Sequence, residues 1–76
     1  MEKMQITGRI VAVQEQRFRL ETDAGQVYLL TLGRHAPLDA TTLGELHDRR
    51  ARVTVEFSGE PNLTGGVAYD LREDGR

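Results

Sequence analysis

No cysteine occurs among the 76 residues, so neither a disulfide framework nor a thiolate metal site can staple the chain. Serine occurs once, at Ser58, outside any nucleophile-elbow pattern, and with no thiol the usual activated nucleophiles are missing. No stretch approaches the roughly 18 apolar residues of a membrane span. The N-terminal MEKMQITG also lacks the apolar segment of a signal peptide. A soluble, cytoplasmic protein with no membrane partner is expected. Aromatic residues are limited to Phe18, Tyr28, Phe57 and Tyr69. Neither sign of charge dominates: the net charge is -2 and the pI about 5.6. A strongly basic surface, the usual footprint of a nucleic-acid binder, is therefore excluded, although a local basic patch is not.

A chain of this length makes one domain, expected over 1–76 with loose ends at 1–4 and 73–76. It buries only about 60% of the surface that its unfolded form exposes. There is no internal repeat and no low-complexity segment.

The strongest local signal is RFRLETDAGQVYLL. Thr22-Asp23-Ala24-Gly25 fits a type I turn followed by a left-handed glycine, the three-residue hairpin loop with a bulge. Asp23 is expected to accept from the turn backbone. This loop pairs Thr22 with Gln26, Leu20 with Tyr28 and Phe18 with Leu30. One face then carries those apolar side chains with Leu32, and the other carries Arg17, Arg19, Glu21, Val27, Leu29 and Thr31. A two-residue loop at Ala24-Gly25 would shift the register by one and turn Tyr28 outward beside the arginines. The strand before it, Ile6 to Val13, is interrupted by Gly8, whose position suggests a bend that lets one strand serve two halves of a barrel. Ile10-Val11-Ala12-Val13 is apolar on both faces and suits the most buried strand.

After a connector containing Arg34, His35 and Pro37, a short helix is expected. Thr42-Leu43-Gly44-Glu45 matches a capping box, and Asp39 is an alternative cap one turn earlier. Leu43 and Leu46 would face the interior and plug the open end of a barrel. Val53, Val55 and Phe57 alternate with Arg52, Thr54 and Glu56 in a half-buried strand. A breaker-rich loop over 58–66 leads to VAYDLR, in which Val67, Tyr69 and Leu71 are expected on one face.

The order is strand, strand, strand, helix, strand, strand. With Gly8, the Asp23-Ala24-Gly25 turn, the Leu43/Leu46 helix and the closing GGVAYDL, it resembles the OB-fold, over roughly Gln5 to Arg72. The resemblance implies an all-β, five-stranded Greek-key barrel with a helix between its third and fourth strands. The chain looks similar to small bacterial proteins of this fold without an assigned activity. An SH3-like barrel is the alternative architecture, though it has no evident need for this helix. Proteins of the OB-fold bind oligonucleotides, oligosaccharides or other proteins, so the fold alone selects no ligand.

His35 and His47 lack the spacing of a metal motif, and a connector histidine and a helix-end histidine explain both. Gly65-Gly66 has no following lysine or helix to make a phosphate cradle. No catalytic residue, cofactor or metal is assigned. Binding has two candidate surfaces. The first is the face bearing Arg17, Arg19, Val27 and Leu29, where arginine beside exposed aliphatics suits a protein contact. The second is a basic patch of Arg34, Arg49, Arg50 and Arg52, with Lys3 as a further member, which could meet phosphates. The function expected is a non-enzymatic adaptor for an unknown protein partner or a second copy of the chain. The alternative is a weak single-stranded nucleic-acid binder using Arg17, Arg19, Tyr28 and Arg49 to Arg52.

Overall fold

The computed structural model describes residues 4–59 and 66–74. Five strands and one helix follow in order: β1 (Met4–Gln14), β2 (Arg17–Thr22), β3 (Val27–Leu32), α1 (Ala40–Asp48), β4 (Arg52–Ser58) and β5 (Gly66–Glu73). The strands close into a barrel in the order β1-β2-β3-β5-β4, every pairing being antiparallel except β3 with β5. This is the expected OB-fold-like arrangement, with the helix between β3 and β4.

Closure depends on β1, which pairs with β4 over Met4 to Arg9 and with β2 over Gly8 to Gln14. Gly8 and Arg9 belong to both ladders. A Cβ on Gly8 would stand 2.2 Å from the Glu21 carbonyl oxygen, so only hydrogen fits where the strand changes partners. The hairpin between β2 and β3 forms in the three-residue register. The Thr22 amide donates to the Gln26 carbonyl at 2.8 Å, the Gly25 amide to the Thr22 carbonyl at 2.9 Å, and Gly25 has φ +89. Leu20 accordingly faces Tyr28, and Phe18 faces Leu30.

The core is built from Ile10, Phe18, Leu20, Leu30 and Leu32, with Val53, Val55, Phe57, Ala68 and Leu71 from the other strands. Leu43 and Leu46 of α1 bury into the same cluster. Such a short helix owes its stability to that contact rather than to its own propensity. Asp39 caps it, its carboxylate accepting from the Thr42 amide at 3.0 Å, so the cap lies one turn before the capping box at Thr42. Its end is a Schellman motif: the Ala51 amide reaches the Leu46 carbonyl and the Arg50 amide reaches that of His47. Arg50 holds the left-handed position at φ 54, where glycine is the usual residue.

Two β-bulges overturn expectations based on strict alternation. Between Glu56 and Phe57 the β5 partner jumps from Asp70 to Ala68, leaving Tyr69 as the extra residue. Leu71 and Ala68 therefore point inward, Val67 is 44% exposed, and Val67, Tyr69 and Leu71 do not share a face. The β1 partner of β2 likewise jumps from Ile10 to Ala12. Val11 is turned out, 44% exposed, and only Ile10 of the four-residue apolar run is buried. Of the expected loose ends, only Met4, Glu73 and Asp74 are among the described residues, and these three are held. Met4 pairs with Phe57, Glu73 pairs with Val53, and the Asp74 amide donates to the Arg52 carbonyl at 2.7 Å. Most of the breaker-rich loop, residues 60–65, lies outside the described residues, as does Lys3.

Candidate functional site

The outer face of β2 and β3 is fixed by the hairpin register. With Phe18, Leu20 and Leu30 buried, alternation turns Arg17, Arg19 and Glu21 out from β2, with Val27 and Leu29 out from β3. Arg19 lies directly across from Leu29, Arg17 from Thr31 and Glu21 from Val27. Val27 is 46% exposed and Leu29 39% exposed. The bulge in β1 extends this surface by setting Ala12 opposite Arg19 and Gln14 opposite Arg17. Together Ala12, Val13, Gln14, Arg17, Phe18, Arg19 and Leu29 line a cleft of 390 Å³. On the far side of β3, Val67 pairs with Thr31 and continues the aliphatic strip. The four residues Arg17, Arg19, Val27 and Leu29 are thus brought onto one surface.

Val67 belongs to that surface and was not legible in the sequence. Its alternation with Tyr69 and Leu71 points to the interior, and only the bulge at Tyr69 reverses it. Val11 escaped for the same reason, hidden in an apolar run.

The basic patch has a different character. Arg49 forms a bidentate pair with Glu73, at 3.0 and 3.1 Å. Arg52 meets Asp23 at 2.7 Å and Asp74 at 3.3 Å. Hydrogen bonding from Arg49 draws the Glu73 carboxyl below its usual range, and Glu73 raises the guanidinium in return. The Asp23 carboxylate likewise raises Arg52. Asp23, expected to serve the turn backbone, ties the hairpin tip to β4 instead. Arg50 is exposed and its carbonyl accepts from Arg9 Nε at 3.3 Å. Arg34 lies in the connector after β3, and among the described residues no hydrogen bond or ion pair joins it to the other three.

The aromatic side chains are mostly unavailable for stacking. Phe18 and Phe57 are buried. Tyr28 is half-buried, and its hydroxyl donates to Gln26 Oε1 at 2.8 Å. Tyr69, the bulged residue, keeps its hydroxyl buried without a hydrogen-bond partner among the described residues.

A second cleft, of 430 Å³, is lined by Ile10, Val11, His47, Asp48 and Arg50. His47 Nδ1 lies 3.4 Å from an Asp48 carboxylate oxygen there. Ser58 sits on β4 opposite Val67 and lines neither cleft. His35 is exposed in the connector, and among the described residues no three His, Cys, Asp or Glu side chains converge.

No family model matches the chain, and no curated protein matches it in sequence. Among solved structures the chain is similar to CusF, determined with Ag(I). The two share 9% identity at a TM-score of 0.63, over 97% of this chain and 100% of that one, which is a likeness of fold.

Proposed function

We propose that the chain is a non-enzymatic binding module whose outer β2–β3 face engages another protein. The observation that carries this reading is the cleft beside Leu29, where exposed aliphatic side chains lie next to Arg17 and Arg19. Arginine and apolar side chains in contact are the composition of protein interfaces, and the outer surface around the second and third strands is the usual ligand face of this fold. Neither described cleft holds a nucleophile next to a base, which is the arrangement that covalent catalysis needs.

A photo-crosslinking residue at position 29 tests this, with position 48 on α1 as the control. Protein adducts formed from position 29 and not from 48 are expected, and a product at twice the chain mass would identify the partner as a second copy. Equal adducts at both positions, or none at 29, would refute the reading.

The nucleic-acid alternative has less support. Single-stranded binders stack bases on exposed aromatic rings, and here two of the four are buried and Tyr28 is half-buried. Arg49 and Arg52 already hold carboxylates. An oligonucleotide titration at two salt concentrations would revive it if affinity fell by about 0.7 log units per log salt for each neutralised phosphate. Silver binding does not carry over from CusF. A soft cation selects thiolate and thioether donors. The chain has no cysteine, and Met4, the one thioether among the described residues, stands 46% exposed on β1 opposite Phe57.

A further inference from the structure

Among the described residues the arginines differ in whether a carboxylate meets them. Arg49, Arg52 and Arg72 each lie within 4 Å of a carboxylate, at distances from 2.7 to 3.8 Å. Arg17, Arg19, Arg34 and Arg50 make no ion pair or hydrogen bond through their side chains among the described residues, and of these only Arg17 and Arg19 stand together on one strand. Glu21 is the next outward residue of β2, yet it does not pair with Arg19. In a chain with a net charge of -2, carboxylates are not scarce, so the two bare guanidinium groups mark a local positive site on an acidic molecule.

From this charge pattern we infer that the partner of the β2–β3 face is an extended acidic peptide segment. The inference rests on the reading that this face binds protein. Arg17 and Arg19 are alternate residues of one strand and so repeat at about 6.6 Å. An extended peptide presents its own alternate side chains at the same interval. Two carboxylates spaced by one residue therefore meet both guanidinium groups without bending either chain. Each guanidinium presents a planar fork of donors suited to a carboxylate. Beyond Arg19 the β2 side of the face carries Glu21, while its β3 side is aliphatic, with Leu29 across from Arg19 and Val27 across from Glu21. An apolar side chain two residues past the second carboxylate would lie there. Nucleic acid also carries regularly spaced anions, but the same face offers its bases no fully exposed aromatic ring, which favours the peptide.

The probe is the capped peptide Asp-Thr-Asp-Thr-Leu-Thr, titrated into the whole chain and followed by amide-resolved NMR. Its counterpart carries Asn at both Asp positions. The Asp peptide should shift the amides of Ala12, Arg17, Arg19 and Leu29 and should weaken as salt is raised. The Asn peptide and the R17Q/R19Q variant should each lose affinity by about threefold to fivefold per exposed charge pair. Unchanged amide dispersion of R17Q/R19Q shows that the barrel survives the substitution. Equal binding of the two peptides would overturn the acidic preference while leaving a protein-binding face intact. Absence of shifts at those residues would overturn the inference, with crosslinking from position 29 deciding the broader reading separately. Tighter binding of a single-stranded oligonucleotide to the same residues would also overturn it.

Discussion

Replacing Gly8 with alanine puts the closure of the barrel to a direct test. The added Cβ would lie 2.2 Å from the Glu21 carbonyl oxygen, 2.8 Å from its carbon and 3.0 Å from the Thr22 Cα. All three atoms belong to the backbone of β2, so no rotamer change relieves the contact. To bring the carbonyl oxygen from 2.2 Å out to 3.0 Å, β2 must retreat by 3.0 - 2.2, about 0.8 Å. That movement stretches the β1–β2 ladder at the residue where β1 also holds β4. A cost of about 3 kcal/mol follows, at the upper end for overpacking. A chain of this size is stable by only about 4–11 kcal/mol, so this is a large fraction. With a urea m-value near 1 kcal/mol/M, the unfolding midpoint should drop by roughly 3 M. Gly44→Ala is the control, because a Cβ there meets nothing within 4 Å and alanine favours the helix by up to about 1 kcal/mol. If Gly8→Ala unfolds within about 0.5 kcal/mol of the parent protein, the close approach of β1 and β2 is wrong.

Arg50→Gly should stabilise the protein by about 0.5–1 kcal/mol in urea unfolding, because glycine takes the left-handed φ of 54 without a Cβ penalty. Asp39→Ala should lower Tm by a few degrees and Thr42→Ala by less, since Asp39 supplies the cap. The Thr42 amide holds the Asp39 carboxyl below 3.8, and Arg49 holds that of Glu73 below 4.5. Both groups contribute stability above those ordinary values and lose it as pH falls through their lower folded values. Thermal unfolding should therefore worsen below about pH 4.5, and less so in a Glu73→Gln variant. Tyr69→Phe removes a buried hydroxyl with no partner among the described residues. It should be neutral or stabilising by about 1 kcal/mol.

Local rules carried the sequence reading where nothing interrupts a pattern. The Asp23-Ala24-Gly25 turn dictated its register, and with it the placement of Phe18, Leu20, Tyr28 and Arg19. Gly8 announced a bend, and Leu43 with Leu46 announced which side of α1 is buried. The failures lie where one extra residue enters a strand. A bulge leaves no mark in composition: Val67-Ala68-Tyr69 reads as ordinary alternation, and small Ala68 gives no hint that it fills the core while Val67 faces water. Charge pairing was equally hidden. Arg49 and Arg52 look like a basic cluster because their carboxylates, at Asp23, Glu73 and Asp74, are remote in sequence and arrive through barrel closure. Arg17 and Arg19 look no different in sequence. Only the fold shows that they lie side by side next to Leu29, with no carboxylate partner among the described residues.

A Leu29→Asp substitution tests the proposed face most directly, read by crosslinking from position 27 alongside urea unfolding. Leu29 is 39% exposed and points away from the core, so the account predicts adducts lost while the unfolding midpoint scarcely moves. Adducts that persist undiminished in the stable variant would contradict it.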